Sequence, residues 1–369
     1  MSGNSTGKAL VLMCFGESHG ACIGAILDGC PAGLSLSEND IQAELDKRRP
    51  GFSAISTSRR EEDRVKILSG VYEGRTTGSP ICMIVRNIDV KSEAHERMAG
   101  RPRPGHADYV AHVKYGGFSD PRGGGRFSGR ITAAYVMAGA VAKKLLGCSV
   151  GTEVLAHTVQ IGKVRVSGEV APDEIRKNTY SNPVRCAVPR TASLMEEEIV
   201  RAQKERDSVG GVVEAIALNV PLGLGEPVFD SLDADISKLM FDVPAVKGVE
   251  FGAGFHSASL RGSENNDQYG ITEGKVVALS NNAGGILGGT STGMPITVRV
   301  AFKPTSSIAR KQKTVDLSRM EETEIEIRGR HDPCVVPRAV PVVESCLAFV
   351  LADHAIRSGK IPRVMEAGK

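Results

Sequence analysis

Short apolar runs broken by glycine-bearing turns dominate the first hundred residues. Residues 9–15 (ALVLMCF) and 21–27 (ACIGAIL) flank the turn GESHG, and apolar runs of this length bounded by glycine predict buried strands. His19 then sits on a turn between strands. Ser37-Glu-Asn-Asp40 resembles a capping box, Ile41 and Leu45 recur at i, i+4, and Pro50 ends the run. That pattern predicts a helix from Ser37 whose last turn carries Lys47, Arg48 and Arg49, where cations also suit the helix dipole. VKILSGVY and SPICMIVR predict a strand pair, followed from Arg86 to Asp108 by a long loop with almost no apolar periodicity. Loops of that length inside a compact protein are usually functional or disordered.

Residues 131–146 predict a helix so rich in alanine and glycine that other backbone must approach it closely, which makes it a buried central helix. Downstream, Ser193 to Glu196 predicts the start of a charged helix reaching about residue 207, and 211–220 a strand. Ser231 opens another helix before the strand 245–252, and 257–275 reads as a flexible polar loop. MPITVRVAF predicts a strand, and Pro341 sits at the first turn of a final helix ending at Gly359. Strands pair in hairpin order and helices do not alternate regularly with them, so the fold class is α+β, with residues 1–369 as a single domain and no legible repeat or linker.

The 369 residues are 41% hydrophobic, enough for a sizeable core. Eight cysteines lie mostly within apolar stretches with no C-x-x-C pair, the pattern of reduced thiols, and no H-E-x-x-H occurs, so neither disulfides nor a metal is expected. No run approaches the roughly 18 apolar residues of a membrane span, and the N-terminus lacks the order of a signal peptide. The expectation is a cytoplasmic protein that engages no membrane. Net charge is only +3, but arginines cluster at 48–49, 59–64, 101–103, 122–130 and 328–338, and such clusters seek an anion. With 4% aromatics and no tryptophan, stacking platforms for nucleic acid are scarce. A small polyanionic ligand fits better.

Three consecutive glycines, Gly123 to Gly125, precede Arg126-Phe127-Ser128-Gly129-Arg130 and the central helix. Glycines this costly to order mark a need for bare backbone. Arg126, the glycine amides and the helix N-terminus together predict a phosphate site. A second glycine cluster, Gly284 to Gly289, precedes a strand, and Lys303-Pro304-Thr305-Ser306-Ser307 follows it. Lysine beside three hydroxyls is good phosphate chemistry.

Seven motifs in order, FGESHG, RRPG, RPGHADY, GGGRFSGR, AGGILGG, KPTSS and GRHDPC, resemble the chorismate synthase family from about Leu10 to Ile356. The resemblance implies an anti-1,4-elimination of phosphate from 5-enolpyruvylshikimate 3-phosphate to give chorismate, the last step of the shikimate pathway to aromatic amino acids. It implies reduced FMN as cofactor, an external flavin reductant, and a homotetramer whose subunits sandwich a helical layer between antiparallel sheets. It assigns His19 and Ser18 to the substrate phosphate, His106 to the flavin N1 edge and Asp332 to the N5 region. Arg48, Arg49 and Arg130 would hold the substrate's anionic groups, with Arg126 beside them. Arg126, Phe127, Ser128, Ala245, Gly288, Lys303, Pro304, Thr305, Ser306, Ser307 and Arg330 would surround FMN. The family usually reads GGRSSAR, so Phe127 and Gly129 are departures, as are Ala54 and Pro244. The alternative is an FMN-dependent oxidoreductase such as a flavin reductase, which would consume NADPH without releasing phosphate.

Overall fold

The computed structural model describes residues 3–49, 51, 55, 62–88, 100–327 and 331–365. Two five-stranded antiparallel sheets enclose a layer of helices. The first sheet runs, in spatial order, Ser5–Thr6, Val11–Gly16, Cys22–Asp28, Ile81–Arg86 and Val65–Ile67. The second runs Val246–Phe251, Ile296–Phe302, Gly211–Leu218, Glu153–Ile161 and Val164–Arg165. Ile81, Met83 and Val85 are fully buried while the residues between them are not, and Ile296, Val298, Val300 and Phe302 repeat the pattern in the second sheet. This period of two turns one face of each sheet toward the helices.

The central helix, Thr132–Val150, packs on the first sheet, and the C-terminal helix, Val336–Arg357, packs on the second. The two helices also pack on each other, and every residue from Val336 to Ala355 is buried except Arg338. A helix apolar on all sides belongs in a core. Two helical spans, 129–150 and 336–357, are long and apolar enough to cross a membrane, yet they are about two-thirds and nine-tenths buried within the protein. Gly139 makes the contact between them possible: a Cβ there would lie 2.2 Å from Ser345 Cβ and 2.6 Å from its Cα. The Ser345 hydroxyl is satisfied by donating to the Pro341 carbonyl at 2.6 Å.

Several expected boundaries move. The final helix opens at Val336 with Pro337 in its first turn, so Pro341 lies inside it. An internal proline costs roughly 3 kcal/mol in isolation, and burial of the surrounding turns on both sides outweighs that. The charged helix spans Pro189–Lys204, four residues ahead of Ser193, because Pro189 supplies the preset φ and missing N–H that suit a first turn. The segment 257–275 is no loose loop: it holds a short helix, Gly262–Asn265, and the hairpin of Tyr269–Thr272 with Lys275–Ala278. Val65–Ile67 does pair with Ile81–Arg86, but Val71–Tyr72 leaves for a separate hairpin with Arg75–Thr76. Residues 89–99 of the long loop, with Ala54 and Pro50, lie outside the described residues, and the loop's end folds as the helix Asp108–Lys114.

Gly139→Ala tests the helix contact. Alanine gains about 1 kcal/mol of helix propensity, but the backbone of Ser345 cannot move aside, and overpacking of about 1–3 kcal/mol wins. A lower urea midpoint is expected for Gly139→Ala. Gly147→Ala, in the same helix with nothing within 4 Å of the added methyl, should raise it.

Candidate active site

A cavity of about 1440 Å³ is bounded by the turn after the first strand pair, the start of the central helix, the end of helix Leu232–Asp242, the end of strand Ile296–Phe302 and the start of the C-terminal helix. A pocket for a single small ligand typically measures roughly 300–1,000 Å³, so this cavity has room for two ligands. Its lining brings together Ser18, His19, Arg48, His106, Arg126, Phe127, Ser128, Arg130, Ala245, Lys303, Pro304, Thr305, Ser306, Ser307 and Asp332. Two expected residues are not among them. Gly288 lies on the tight turn between Ile286–Leu287 and Thr290–Ser291, and Arg49 is an exposed side chain 3.6 Å from Asp46. Arg330 lies outside the described residues.

The glycine turn has a steric use. Gly123, Gly124 and Gly125 all have φ between 52° and 83°, a region closed to most side chains. A Cβ on Gly123 would sit 2.6 Å from the His19 ring and 2.8 Å from Ser18 Oγ, and one on Gly124 would sit 3.1 Å from His106 Cε1. Bare backbone thus forms the surface against which both imidazoles lie. Beside this turn Ser128 Oγ accepts from the Arg130 amide at 3.3 Å, and Arg126 donates to Asn4 Oδ1. Ser18 is 1% exposed, and its hydroxyl has no hydrogen-bond partner among the described residues.

Arg48 is 1% exposed, and the carboxylate that accompanies it comes from the equally buried Asp63. Arg48 Nη1 donates to Asp63 Oδ2 at 3.0 Å, its Nε to Thr132 Oγ1 at 2.9 Å and its Nη2 to the Gly129 carbonyl at 2.9 Å. Arg130 donates to the other Asp63 oxygen, and to Asn87 Oδ1 at 2.9 Å. Asn87 in turn donates to the carbonyls of Glu17 and Gly20, which fastens the histidine turn to the arginines. Burial raises the Asp63 pKa, but the charges of Arg48 and Arg130 outweigh it and hold the carboxyl below its usual value.

The Asp332 carboxylate is paired: its Oδ2 accepts from Arg338 Nη1 at 2.5 Å. Because the C-terminal helix begins at Val336, Arg338 is already in its first turn, and its Nε reaches the Arg48 carbonyl at 3.3 Å. Three motif loops are also stitched together. Lys303 donates to the Gly105 carbonyl, Arg103 to Ser307 Oγ at 3.1 Å and Thr305 to the Asp332 carbonyl at 3.1 Å. Burial and the neighbouring Lys247 both push the Lys303 ammonium below its ordinary pKa. Among the described residues, Arg48, Arg103, Arg126, Arg130, Lys247, Lys303 and Arg338 face Glu17, Asp242 and Asp332 across the cavity. An excess of cations in a concave site selects polyanionic ligands. Arg103 and Arg338 were legible only as members of positive clusters, and Asp63, Asn87 and Lys247 carried no motif signal.

The chain matches the family model described as chorismate synthase over residues 10–356. It is 56% identical to the chorismate synthase of Korarchaeum cryptofilum over 97% of this chain and 99% of that one. It is 54% identical to that of Methanothermobacter thermautotrophicus over 98% and 96%. A crystal structure of chorismate synthase superposes with a TM-score of 0.77 at 34% identity, covering 96% of this chain and 93% of that one. With the sandwich fold and a cationic cavity carrying the family's motifs, these matches establish that the chain belongs to the chorismate synthase family of shikimate-pathway lyases.

Proposed function

We propose that the cavity converts 5-enolpyruvylshikimate 3-phosphate to chorismate and phosphate with reduced FMN bound beside the substrate. The observation that carries this reading is the cavity itself, large enough for two ligands and lined by seven cations among the described residues. The substrate has two carboxylates and a phosphate, and FMN has another phosphate. Each charged hydrogen bond to such groups contributes about 1.5–3 kcal/mol. Lys303, with Lys247 nearby and the hydroxyls of Ser306 and Ser307 on the same wall, fits the FMN phosphate, because an anion relieves the like-charge stress between the two lysines. When bound, reduced FMN supplies electron density to the substrate ring while the carbon–oxygen bond breaks and regains it afterwards, so nothing is oxidised overall.

The protein's own groups do the rest. Arg48 and Arg130, fixed by Asp63, hold the substrate's anionic groups. His19 and the buried Ser18 hydroxyl serve the departing phosphate, with His19 donating the proton that neutralises it. His106 meets the flavin edge. Asp332, held by Arg338, is the carboxylate assigned to the proton that leaves C6 as the new double bond forms. The active assembly is a homotetramer supplied with reduced flavin from outside.

An anaerobic assay tests the reaction: phosphate release and chorismate absorbance are expected with dithionite-reduced FMN and not with oxidised FMN, with no stoichiometric consumption of reductant. Rapid aerobic turnover with oxidised flavin would overturn the proposal. His19→Ala and His106→Ala should each slow turnover at least tenfold, since a positioned acid is worth about 10²–10⁴-fold, with circular dichroism unchanged.

Asp63→Asn removes the shared partner of two buried arginines and should cost about 3–5 kcal/mol of stability near neutral pH. Because the folded pKa of Asp63 lies below its unfolded value, its contribution is complete above the ordinary carboxylate pKa and fades as pH falls through the folded one. Urea titrations should therefore show the gap between wild type and variant narrowing toward acid. A gap independent of pH would refute the assignment.

A further inference from the structure

His106 is held by a second carboxylate, Asp108, two residues along the chain. His106 Nδ1 lies 2.5 Å from Asp108 Oδ1. The other Asp108 oxygen accepts from Arg103 Nε at 2.7 Å and from the Arg103 amide at 3.1 Å, and Arg103 Nη2 donates to Asp108 Oδ1 at 2.8 Å. Arg103 Nη2 also lies 3.0 Å from His106 Nδ1 and 3.3 Å from Nε2. Near-equal distances to nitrogens on opposite flanks of the imidazole place the guanidinium over the ring face, because an in-plane donor reaches only one of them. Gly124 leaves the room for this contact: a Cβ there would lie 3.1 Å from His106 Cε1, 3.2 Å from Nε2 and 3.3 Å from Arg103 Nη2. Arg103 is 8% exposed and its Nη1 is anchored on Ser307.

Resting on the proposed role of His106, we infer that Asp108 is a positioning residue for that histidine: it accepts the Nδ1–H, selects the Nε2-unprotonated tautomer of the neutral ring and presents Nε2 to the bound ligand. Only one protonation pattern of neutral imidazole lets Nδ1 donate to a carboxylate. Arg103 supplies the second constraint, fixing the ring plane by lying across it while holding Asp108 in its bidentate grip. Burial would raise the Asp108 pKa, yet the hydrogen bonds from Arg103 and His106 outweigh it and hold this carboxyl far below its ordinary value. It therefore stays an acceptor across the working pH range. The proton that His106 exchanges travels through Nε2 alone, and the Nδ1 proton remains on the dyad.

The first measurement needs no cofactor or turnover. In full-length protein labelled with ¹⁵N-histidine at alkaline pH, the His106 resonances, assigned by their loss in His106→Ala, should show a protonated Nδ1 and an unprotonated Nε2. Asp108→Asn should move them toward a mixture, and Asp108→Glu should restore the pattern in part. In turnover, Asp108→Asn should lower kcat roughly tenfold to a hundredfold, a share of what a positioned acid contributes, and leave KM within about twofold. In the His106→Ala background the same substitution should cost nothing more. A His106 protonated on Nε2 in the wild type, or an equal Asp108→Asn loss with and without His106, overturns the inference. If His106→Ala itself leaves kcat unchanged, the role proposed for His106 fails, and the tautomer still decides the dyad.

Discussion

Two guanidinium groups buried against one carboxylate are the constraint on which the site depends. Withdrawing such ions from water costs several kcal/mol each, and only good geometry with additional hydrogen bonds offsets it. Arg48, Arg130 and Asp63 have side chains 4% exposed or less. Thr132 and Gly129 accept further hydrogen bonds from Arg48, and Asn87 accepts one from Arg130. Those partners sit at the mouth of the central helix and beside the histidine turn, so the ions set the relative positions of helix Glu38–Arg48, the central helix and the first sheet. One positive charge is left over by the pairing, which suits a polyanionic substrate.

The histidines depend on a different kind of constraint, steric and not electrostatic. The glycine turn presents backbone where any other residue would present Cβ, and His19 and His106 occupy the space thereby vacated. Strain of the same sort appears at Ala245, whose φ of 74° is unusual for alanine and costs on the order of 1 kcal/mol. Its carbonyl accepts from the Lys303 amide at 2.9 Å, which ties the strand entering the cavity to the strand leaving it. At the cavity wall, surrounding structure holds both the glycine turn and Ala245 in these unusual conformations.

The apolar pattern alone determined most of the elements. The apolar strands at 11–16, 22–28, 81–86 and 296–302 and the alanine-rich central helix follow from which residues exclude water. The motif residues were legible because their chemistry is local: a phosphate-seeking KPTSS, a glycine triplet, histidines on turns. Boundaries near proline were not, since Pro189, Pro337 and Pro341 satisfy the same first-turn rule and only packing chooses among them. The hairpin at 269–278 was not legible because its apolar residues face solvent, with Tyr269, Ile271 and Val276 all exposed.

What tertiary structure alone decided is pairing. Asp63 meets arginines 15 and 67 residues away, Arg338 takes the Asp332 carboxylate, Arg103 reaches Ser307 across 204 residues, and Gly288 falls away from the cavity. A residue's type declares what it can bond, and that much the sequence contains. Which partner it finds depends on how the sheets and helices close around it, because a buried charge is stable only beside whichever opposite charge the packing brings within reach.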